Sequence, residues 1–349
     1  MTINRRNLMG GAAALAAGAV ASPALGKVKP FSPQFGPRSR VVYVNDLAGD
    51  IDGLFATAHI ALSQTSQLRT IVGSGFMGPH ESADNATKLG REMMGLMGLK
   101  VPIVAGSSKA IGKDKVPQPS PGVQAIIDEA MRTDTALPLY VAVGGGLTEV
   151  ASAIMIEPRI ADRMTLIWIG GGSMPDGAPR EANFNIDPDA ARFIFNEAKV
   201  PMWTIPQAVY SMCIVSATEL QARVAPHGKI GKWLYEKLVN ASADMSRNLP
   251  AGISFKFNTG ETWILGDSPL VVLTSLTDWV PNFDFKTRSV SWDRTSAGHY
   301  DEVPCPVMNA DGSFTPRSDG RKVRIYKDID TRLMFGDFFA KLELNYPAR

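Results

Sequence analysis

The strongest constraint on the fold is a regular alternation of short β-branched runs and longer helical periods between residues 38 and 215. Strands that recur between helices form parallel βαβ crossovers, which are buried on both faces. The sequence therefore predicts an α/β fold with a mostly parallel, Rossmann-like central sheet flanked by helices. The predicted strands are 40–45, 68–74, 101–105, 137–143, 164–169 and 200–205, and the predicted helices are 52–62, 82–97, 123–131, 148–156 and 188–197.

The pattern changes after about residue 215, where a mostly helical stretch runs to Arg247. An apolar helix is predicted to begin after the Gly266-Asp267-Ser268-Pro269 turn, and a final helix is predicted over 330–344. The segments RSVSW and KVRIY predict two further strands. No linker or repeat divides this part of the chain, so the sequence predicts one domain over residues 28–349.

The N-terminus carries an export pattern. Arg5 and Arg6 precede an apolar, Ala/Gly-rich run over 8–21, and Ala24-Leu25-Gly26 follows as a cleavage site. This pattern resembles a Tat-type signal over residues 1–27 and predicts a periplasmic or secreted protein. The alternative is an uncleaved, disordered N-terminus. The apolar run is too short for a stable membrane anchor.

Charge and cysteine content narrow the function further. The 36 basic and 34 acidic residues give a net charge of +2, and the basic residues form no stripe along the sequence. The sequence therefore lacks the concentration of positive charge expected of a nucleic-acid-binding protein, which favours a small-molecule substrate. Cys213 and Cys305 carry no disulfide framework and no zinc-like spacing, so their pairing stays open. Whether the chain forms a homo-oligomer stays open as well.

An aspartate-rich loop follows the first predicted strand. Asp46, Asp50 and Asp52 place three carboxylates within seven residues, and like charges at that density repel. One interpretation is solvated capping, with Asp50 or Asp52 as the N-cap of the next helix. The other is a bound cation that offsets the repulsion. Oxygen ligands without His or Cys indicate a hard ion such as Ca²⁺ or Mg²⁺.

Two more polar loops follow predicted strands, at the edge of the sheet where α/β proteins bind ligands. The glycines at 144–146 leave the backbone near Thr148 open to a cation, although the Lys-Ser/Thr of a P-loop is missing. Farther along, Asn183 and Asn185 stand two residues apart, and an extended segment would present both amides on one face. Neutral amides suit hydroxyl recognition, so a sugar ligand is predicted.

Four segments together resemble the nucleoside hydrolase superfamily. The chain reads NDLAGDIDG, GGLTE, EANFNIDPDAA and GDSPLVV in the order of that family's motifs, and the resemblance extends over nearly the whole mature chain. The first segment is closer to a divergent branch of the inosine/uridine-preferring type. The resemblance implies a Ca²⁺-dependent hydrolase that cleaves the N-glycosidic bond of ribonucleosides or of a related glycoside.

The family's functional residues transfer to matching positions. The resemblance implies that Asp46 is both the water-activating base and a metal ligand. Asp52, the backbone carbonyl of Thr148 and Asp267 would complete the metal site. Asn185 would bind a ribose hydroxyl, and Asp50 would contact either the metal or the sugar.

Three departures from the family pattern bear on function. Asn183 stands where a glutamate is usual, Gly53 replaces a carboxylate, and Gly266 replaces the histidine that protonates the leaving base. These losses keep open an alternative, an exported sugar- or nucleoside-binding protein without turnover.

Without the histidine that Gly266 replaces, departure of the base is expected to be assisted by stacking on an aromatic residue. Each aromatic candidate is nevertheless expected in the core rather than at the pocket wall. The candidates are Trp263, Phe76 and Trp203. Among the histidines, His59 is expected to be packed and His80 to lie near the pocket.

Overall fold

The computed structural model describes residues 36–76, 78–247, 261–277, 279–284, 289–294 and 297–348. An eight-stranded sheet runs through the described part. Its strands are β1 (Ser39–Asn45), β2 (Ser66–Gly73), β3 (Ile103–Ala105), β4 (Leu139–Gly144), β5 (Thr165–Ile169), β6 (Met202–Ile205), β11 (Tyr300–Pro304) and β14 (Lys322–Tyr326). Three two-stranded sheets consist of β7 (Ile214–Ser216) with β8 (Thr262–Ile264), β9 (Trp279–Asp284) with β10 (Ser289–Arg294), and β12 (Val307–Met308) with β13 (Phe314–Thr315).

Helices connect and cover these strands. They are α1 (Asp52–Ala61), α2 (Ala83–Met97), α3 (Pro121–Ala130), α4 (Thr148–Ile156), α5 (Ala182–Ile186), α6 (Pro188–Asn196), α7 (Gln207–Tyr210), α8 (Ala217–Arg223), α9 (Gly228–Arg247), α10 (Pro269–Val271) and α11 (Thr331–Asn345). Short turns of 3₁₀-helix cover Pro79–Glu81 and Pro158–Arg163, and α10 continues into a π-helical turn at Val272–Leu276.

The main sheet has the order β11-β14-β6-β5-β4-β1-β2-β3, and every neighbouring pair is parallel except β11 with β14. This confirms the predicted mostly parallel α/β sheet. From β1 the chain moves outward to β2 and β3, and it then returns to the other side of β1 as β4. The crevice outside the carboxyl ends of β1 and β4 is therefore the expected ligand site.

The side chains of β1 show why this strand lies at the centre. All seven of its residues are buried. Val41 and Tyr43 pack in one apolar core, whereas Val42 and Val44 pack in a second core on the other face of the sheet. A strand covered on both faces needs this continuous apolar run, which is the pattern that predicted it.

Most predicted boundaries agree with the structure to within a few residues. The helix predicted over 148–156 has those bounds, and the one predicted over 82–97 begins one residue later because Ser82 caps it by accepting from the Asn85 amide at 3.3 Å. The N-terminal signal lies outside the described residues. Within the described ranges, no helix is both long and apolar enough to cross a membrane.

Candidate active site

A cavity opens where β1 and β5 end, with a free volume of about 380 Å³ including its mouth. It is reached by the loop after β1, by α5 and α7, and by the turn before α10. Its lining residues are Asp46, Asp50, Asp52, Phe76, Ile169, Glu181, Ala182, Asn183, Tyr210 and Asp267. The structure thus brings together five of the seven residues that the sequence indicated for the site: Asp46, Asp50, Asp52, Asn183 and Asp267.

Two of the cavity's carboxylates, those of Asp52 and Asp267, accept hydrogen bonds from neighbouring polar groups. Asp46 directly follows β1 and is 4% exposed, and Asp267 is 3% exposed. The backbone amide of Asp267 donates to Asp52 Oδ2 at 3.1 Å, and the Asn45 side-chain amide donates to Asp267 Oδ2 at 2.7 Å. These bonds bring the end of β1 and the 266–268 turn together at the cavity, although the two segments are far apart in the sequence.

Burial and mutual repulsion make these carboxylates hard to ionise. Burial, followed by the charges of Asp267 and Asp50, raises the pKa of Asp46 well above its ordinary value. Burial and the neighbouring aspartates raise the pKa of Asp52 in the same way, and burial raises the pKa of Asp267 to about 7. None of the ten lining residues that the structure describes is positively charged. A cation in the cavity would relieve the repulsion.

The capping interpretation of this loop is wrong. Helix α1 begins at Asp52, its N-cap is Ile51, and no side chain caps it. Asp50 Oδ1 accepts from the adjacent Ile51 amide, and Asp52 Oδ1 accepts from the adjacent Gly53 amide at 2.8 Å. Asp52 is itself the first residue of the helix, so its contact with the second amide is made from inside the helix and not from the N-cap position.

The glycine at position 53 has a steric cause. A Cβ atom there would lie 2.0 Å from Asn45 Oδ1, so the Asn45 amide occupies the space that a side chain would need. Asn45 Oδ1 is buried and accepts no hydrogen bond from the protein. The loss of a carboxylate at Gly53 is therefore accompanied by an asparagine oxygen directed toward the same space.

The donor set fits a hard cation. The cavity is lined by carboxylates, and Asn45, which bonds Asp267, has a buried Oδ1 without a partner. Oxygen atoms of these kinds are the ligands that Ca²⁺ takes. Among the described residues, no three His, Cys, Asp or Glu side chains converge as the ligands of an ion do. The fit thus rests on the chemistry of the donors rather than on a preformed cage.

Thr148 lies beside this cavity rather than in its wall. It is the first residue of α4 and is buried, and its hydroxyl donates to Asp187 Oδ2 at 2.7 Å. The same carboxylate accepts from the Ile111 amide, and its other oxygen accepts from the Ala190 amide at the start of α6. The side chain of Thr148 therefore ties two helix starts together.

The prediction that Asn183 and Asn185 share one face of an extended segment is wrong. Residues Ala182–Ile186 form α5, and side chains two apart on a helix point in nearly opposite directions. Asn183 lines the cavity and donates from Nδ2 to the Ile169 carbonyl at 2.9 Å. Asn185 is exposed and donates to the carbonyls of Pro179 and Glu181 at 2.7 and 2.8 Å.

Sequence reasoning missed two polar residues of the cavity, Glu181 and Tyr210. Glu181 is fully buried and caps α5, and the Tyr210 hydroxyl donates to it at 2.8 Å. Tyr210 lies five residues beyond the end of β6, so the strand-end rule would have found it had this loop been included. Glutamate is an unusual N-cap, and α5 is too short to show a helical period, which hid Glu181.

Of the remaining aromatic and histidine candidates, one lines the cavity and the others do not. Phe76 lines the cavity, whereas Trp203 packs against Tyr140 in the core. His59 is packed, as predicted; it bonds Asp337 at 2.7 Å, and burial lowers its pKa to about 4. His80 is exposed and is not among the lining residues.

Trp263 is partly buried against the core. Cys213 and Cys305 are buried, unpaired thiols.

Comparison with protein families gives a match over most of the chain. Residues 45–332 match the family model described as inosine-uridine preferring nucleoside hydrolase. A protein of that description from Leishmania major is 32% identical over 161 residues, which cover 38% of this chain and 48% of that protein. The matched segment thus spans about half the length of this relative.

Solved structures share the fold. A purine-preferring ribonucleoside hydrolase from Gardnerella vaginalis superposes with a TM-score of 0.64 at 16% identity, covering 88% of this chain and 99% of that one. A plant nucleoside hydrolase superposes with a TM-score of 0.63 at 14% identity over the same shares. At this level of identity the superpositions establish a common architecture.

Proposed function

Because the chain belongs to the inosine-uridine preferring nucleoside hydrolase family, we propose that it hydrolyses the N-glycosidic bond of ribonucleosides or of a related glycoside. The proposed reaction is direct displacement by an activated water, assisted by bound Ca²⁺. One observation carries the proposal. Asp46, Asp50, Asp52 and Asp267 line a single cavity whose described wall contains no positive side chain.

Asp46 is the proposed general base. It directly follows β1 at the crevice, and its raised pKa brings it nearer to neutrality, where a carboxylate accepts a proton from water more effectively. The same environment would make an unassisted, ionised Asp46 costly. The negative charge of Asp267, which is held by the Asn45 side-chain amide, adds to this cost, and a bound cation would offset it.

The proposed Ca²⁺ ligands are the carboxylates of Asp46, Asp52 and Asp267. A bound Ca²⁺ would lower the pKa of a water molecule bound to it and would coordinate hydroxyl oxygens of the sugar. The carbonyl of Thr148 is retained as a further ligand on the family resemblance alone. Asp50, which is exposed and lines the cavity, is proposed to contact either the ion or the sugar.

The sugar is proposed to lie against α5. Asn183 uses one amide hydrogen on the Ile169 carbonyl, which leaves its Oδ1 to accept from a hydroxyl. The contact from Asn185 rests on the resemblance, and it would require that amide to leave two backbone carbonyls. Holding the sugar over the base supplies the orientation that accelerates displacement.

A panel of ribonucleosides tests the function. The purified mature protein is incubated with each nucleoside and Ca²⁺, and free base and free sugar are quantified. We expect both products in equal amounts, and we expect EDTA to suppress their formation and excess Ca²⁺ to restore it. Tight nucleoside binding without any cleavage would favour the binding-protein alternative.

We also propose export to the periplasm or beyond by the Tat route. The support is the pair Arg5 and Arg6 before the apolar run at 8–21. Changing both arginines to lysine should retain the protein in the cytoplasm, as measured by cell fractionation. Unaltered periplasmic yield would point to another route.

A further inference from the structure

Tyr210 lies in the cavity wall beside a glycine that makes room for it. It is the last residue of α7, and its ring borders the turn at Gly266. A Cβ atom at position 266 would lie 3.0 Å from Tyr210 Cδ2 and 3.2 Å from Asp52 Oδ2, which is tighter than most contacts of a real Cβ. The absence of a side chain at 266 therefore allows the phenol ring to lie close to the acidic residues.

The hydroxyl of Tyr210 has a fixed partner. It donates to Glu181 Oε1 at 2.8 Å, and the same oxygen accepts from the backbone amide of Asn183 at 3.0 Å. Glu181 Oε2 accepts from the amides of Gly171 and Phe184 at 2.8 and 2.7 Å. Both oxygens of this fully buried carboxylate are thus supplied with two donors each, so the Glu181 side chain is anchored by the backbone around it.

This arrangement determines what Tyr210 offers to a ligand. A phenol has one proton, and that proton is directed at Glu181, so only an acceptor lone pair remains for the cavity. Burial and the charge of Glu181 raise the pKa of Tyr210 strongly, so the group stays protonated and is a poor proton donor to a leaving base. Tyr210 is therefore a neutral hydrogen-bond acceptor in the wall of the cavity.

We infer that Tyr210 is a specificity-determining residue that accepts a hydrogen bond from a hydroxyl group of the substrate's sugar, with Glu181 as the positioning residue that holds its proton away from the cavity. The inference rests on the proposed hydrolysis of nucleosides. Asn183 Oδ1 offers a second acceptor on the same wall. This wall selects sugars that carry the matching hydroxyl over the corresponding deoxy sugars.

The test pairs a protein change with a substrate change. The value of kcat/KM is measured for a good ribonucleoside and for its 2′-, 3′- and 5′-deoxy analogues, with wild type and with Tyr210→Phe. For one analogue the wild-type kcat/KM should be about 5-fold lower than for the parent, because a hydrogen bond contributes about 1 kcal/mol net and about 1.36 kcal/mol corresponds to tenfold. In Tyr210→Phe the parent should fall by about that factor, and the penalty for that one analogue should nearly vanish.

A matched variant controls for the loss of a partly buried tyrosine hydroxyl that is hydrogen-bonded. The Tyr346 hydroxyl donates to the Met97 carbonyl at 2.8 Å and is not part of the cavity lining, so Tyr346→Phe should leave the whole analogue profile unchanged. If Tyr210→Phe lowers the parent and all three analogues by one common factor, or changes none of them, the inference is overturned while the hydrolase proposal stands. A wild type that cleaves no nucleoside overturns the hydrolase proposal itself, and this inference with it.

Discussion

Buried ionisable groups lie at both ends of β1, but those at its start have partners of opposite charge and the one at its end has none among the described residues. At its start, Arg40 is 4% exposed and bonds Glu129 at 2.7 Å, and Arg69 and Arg132 reach the same carboxylate at 3.2 and 3.1 Å. At its end, Asp46 is equally buried but faces other carboxylates. The two sites lie roughly 20 Å apart, as expected for six residues of extended chain.

The pKa directions express this difference. Burial alone would raise the pKa of Glu129, but the hydrogen bonds and charges of its arginine partners outweigh it and the pKa is lowered. At Asp46, burial and the neighbouring charges act in the same direction and the pKa is raised. Buried charge with internal partners stabilises the fold, whereas buried charge without them indicates a ligand site.

The largest effect is expected at the unpartnered end. Asp46→Asn preserves size but removes the proton acceptor, so nucleoside turnover should fall by about 10² to 10⁴-fold. Folding should be retained, since one repulsive charge is removed. Steady-state kinetics with a melting curve on the same sample measures both.

The matched control for that variant is Asp301→Asn, an exposed aspartate that bonds Lys327 at 3.1 Å. It should leave turnover unchanged. Full turnover in Asp46→Asn would instead assign this aspartate to metal binding alone, and the base would have to be another group.

The partnered end should respond in stability rather than in catalysis. Arg40→Met leaves the Glu129 carboxylate buried with only its two more exposed partners, so the free energy of unfolding should fall by about 3 kcal/mol. The kcat of the folded protein should not change. Denaturant unfolding measures the first quantity, and a kcat that falls 10-fold in well-folded protein would break the comparison.

A smaller effect is expected at Glu149, a buried carboxylate outside the cavity whose pKa is raised chiefly by burial. It therefore tests the effect of burial separately from the repulsion between neighbouring carboxylates. This carboxylate is 1% exposed and accepts from the Ser107 amide at 2.8 Å, and burial raises its pKa from 4.5 to about 7. Because the folded pKa is the higher one, its stabilising contribution is complete below pH 4.5 and is lost as pH rises toward 7.

Glu149→Gln should remove that pH dependence. Between pH 5 and pH 8 the wild type should lose about 2 kcal/mol of stability relative to the variant. Unfolding at both pH values in saturating Ca²⁺ isolates this contribution from the carboxylates of the cavity. Parallel pH profiles of the two proteins would show that Glu149 is not protonated on folding.

The fold was predictable where local pattern determines it. The apolar runs of β1 and β4 and the helix over 148–156 follow from the periodicity of apolar residues, and the strand-end rule placed the site. The pairing of β14 with β6 was not predictable, since it joins residues more than a hundred positions apart. A local pattern carries no information about such a contact.

The site was predictable where chemistry is concentrated in sequence, as at Asp46, Asp50 and Asp52. The error at Asn185 arose because the five-residue α5 is shorter than the window in which a helical period shows. The connection of Tyr210 to Glu181 depends on tertiary contacts across the cavity. Asn45 was hidden for the same reason, because its partner Asp267 is remote in the chain.

The central claim is that the carboxylates at the end of β1 bind a divalent cation, and calorimetric titration of chelator-treated protein with Ca²⁺ tests it most directly. We predict saturable binding of Ca²⁺, weakened by Asp267→Asn and unaffected by Asp301→Asn. Bound Ca²⁺ should also raise the melting temperature, with about 2.7 kcal/mol of stabilisation at a hundred times the dissociation constant. A titration of well-folded protein that shows no binding of Ca²⁺ would contradict the account.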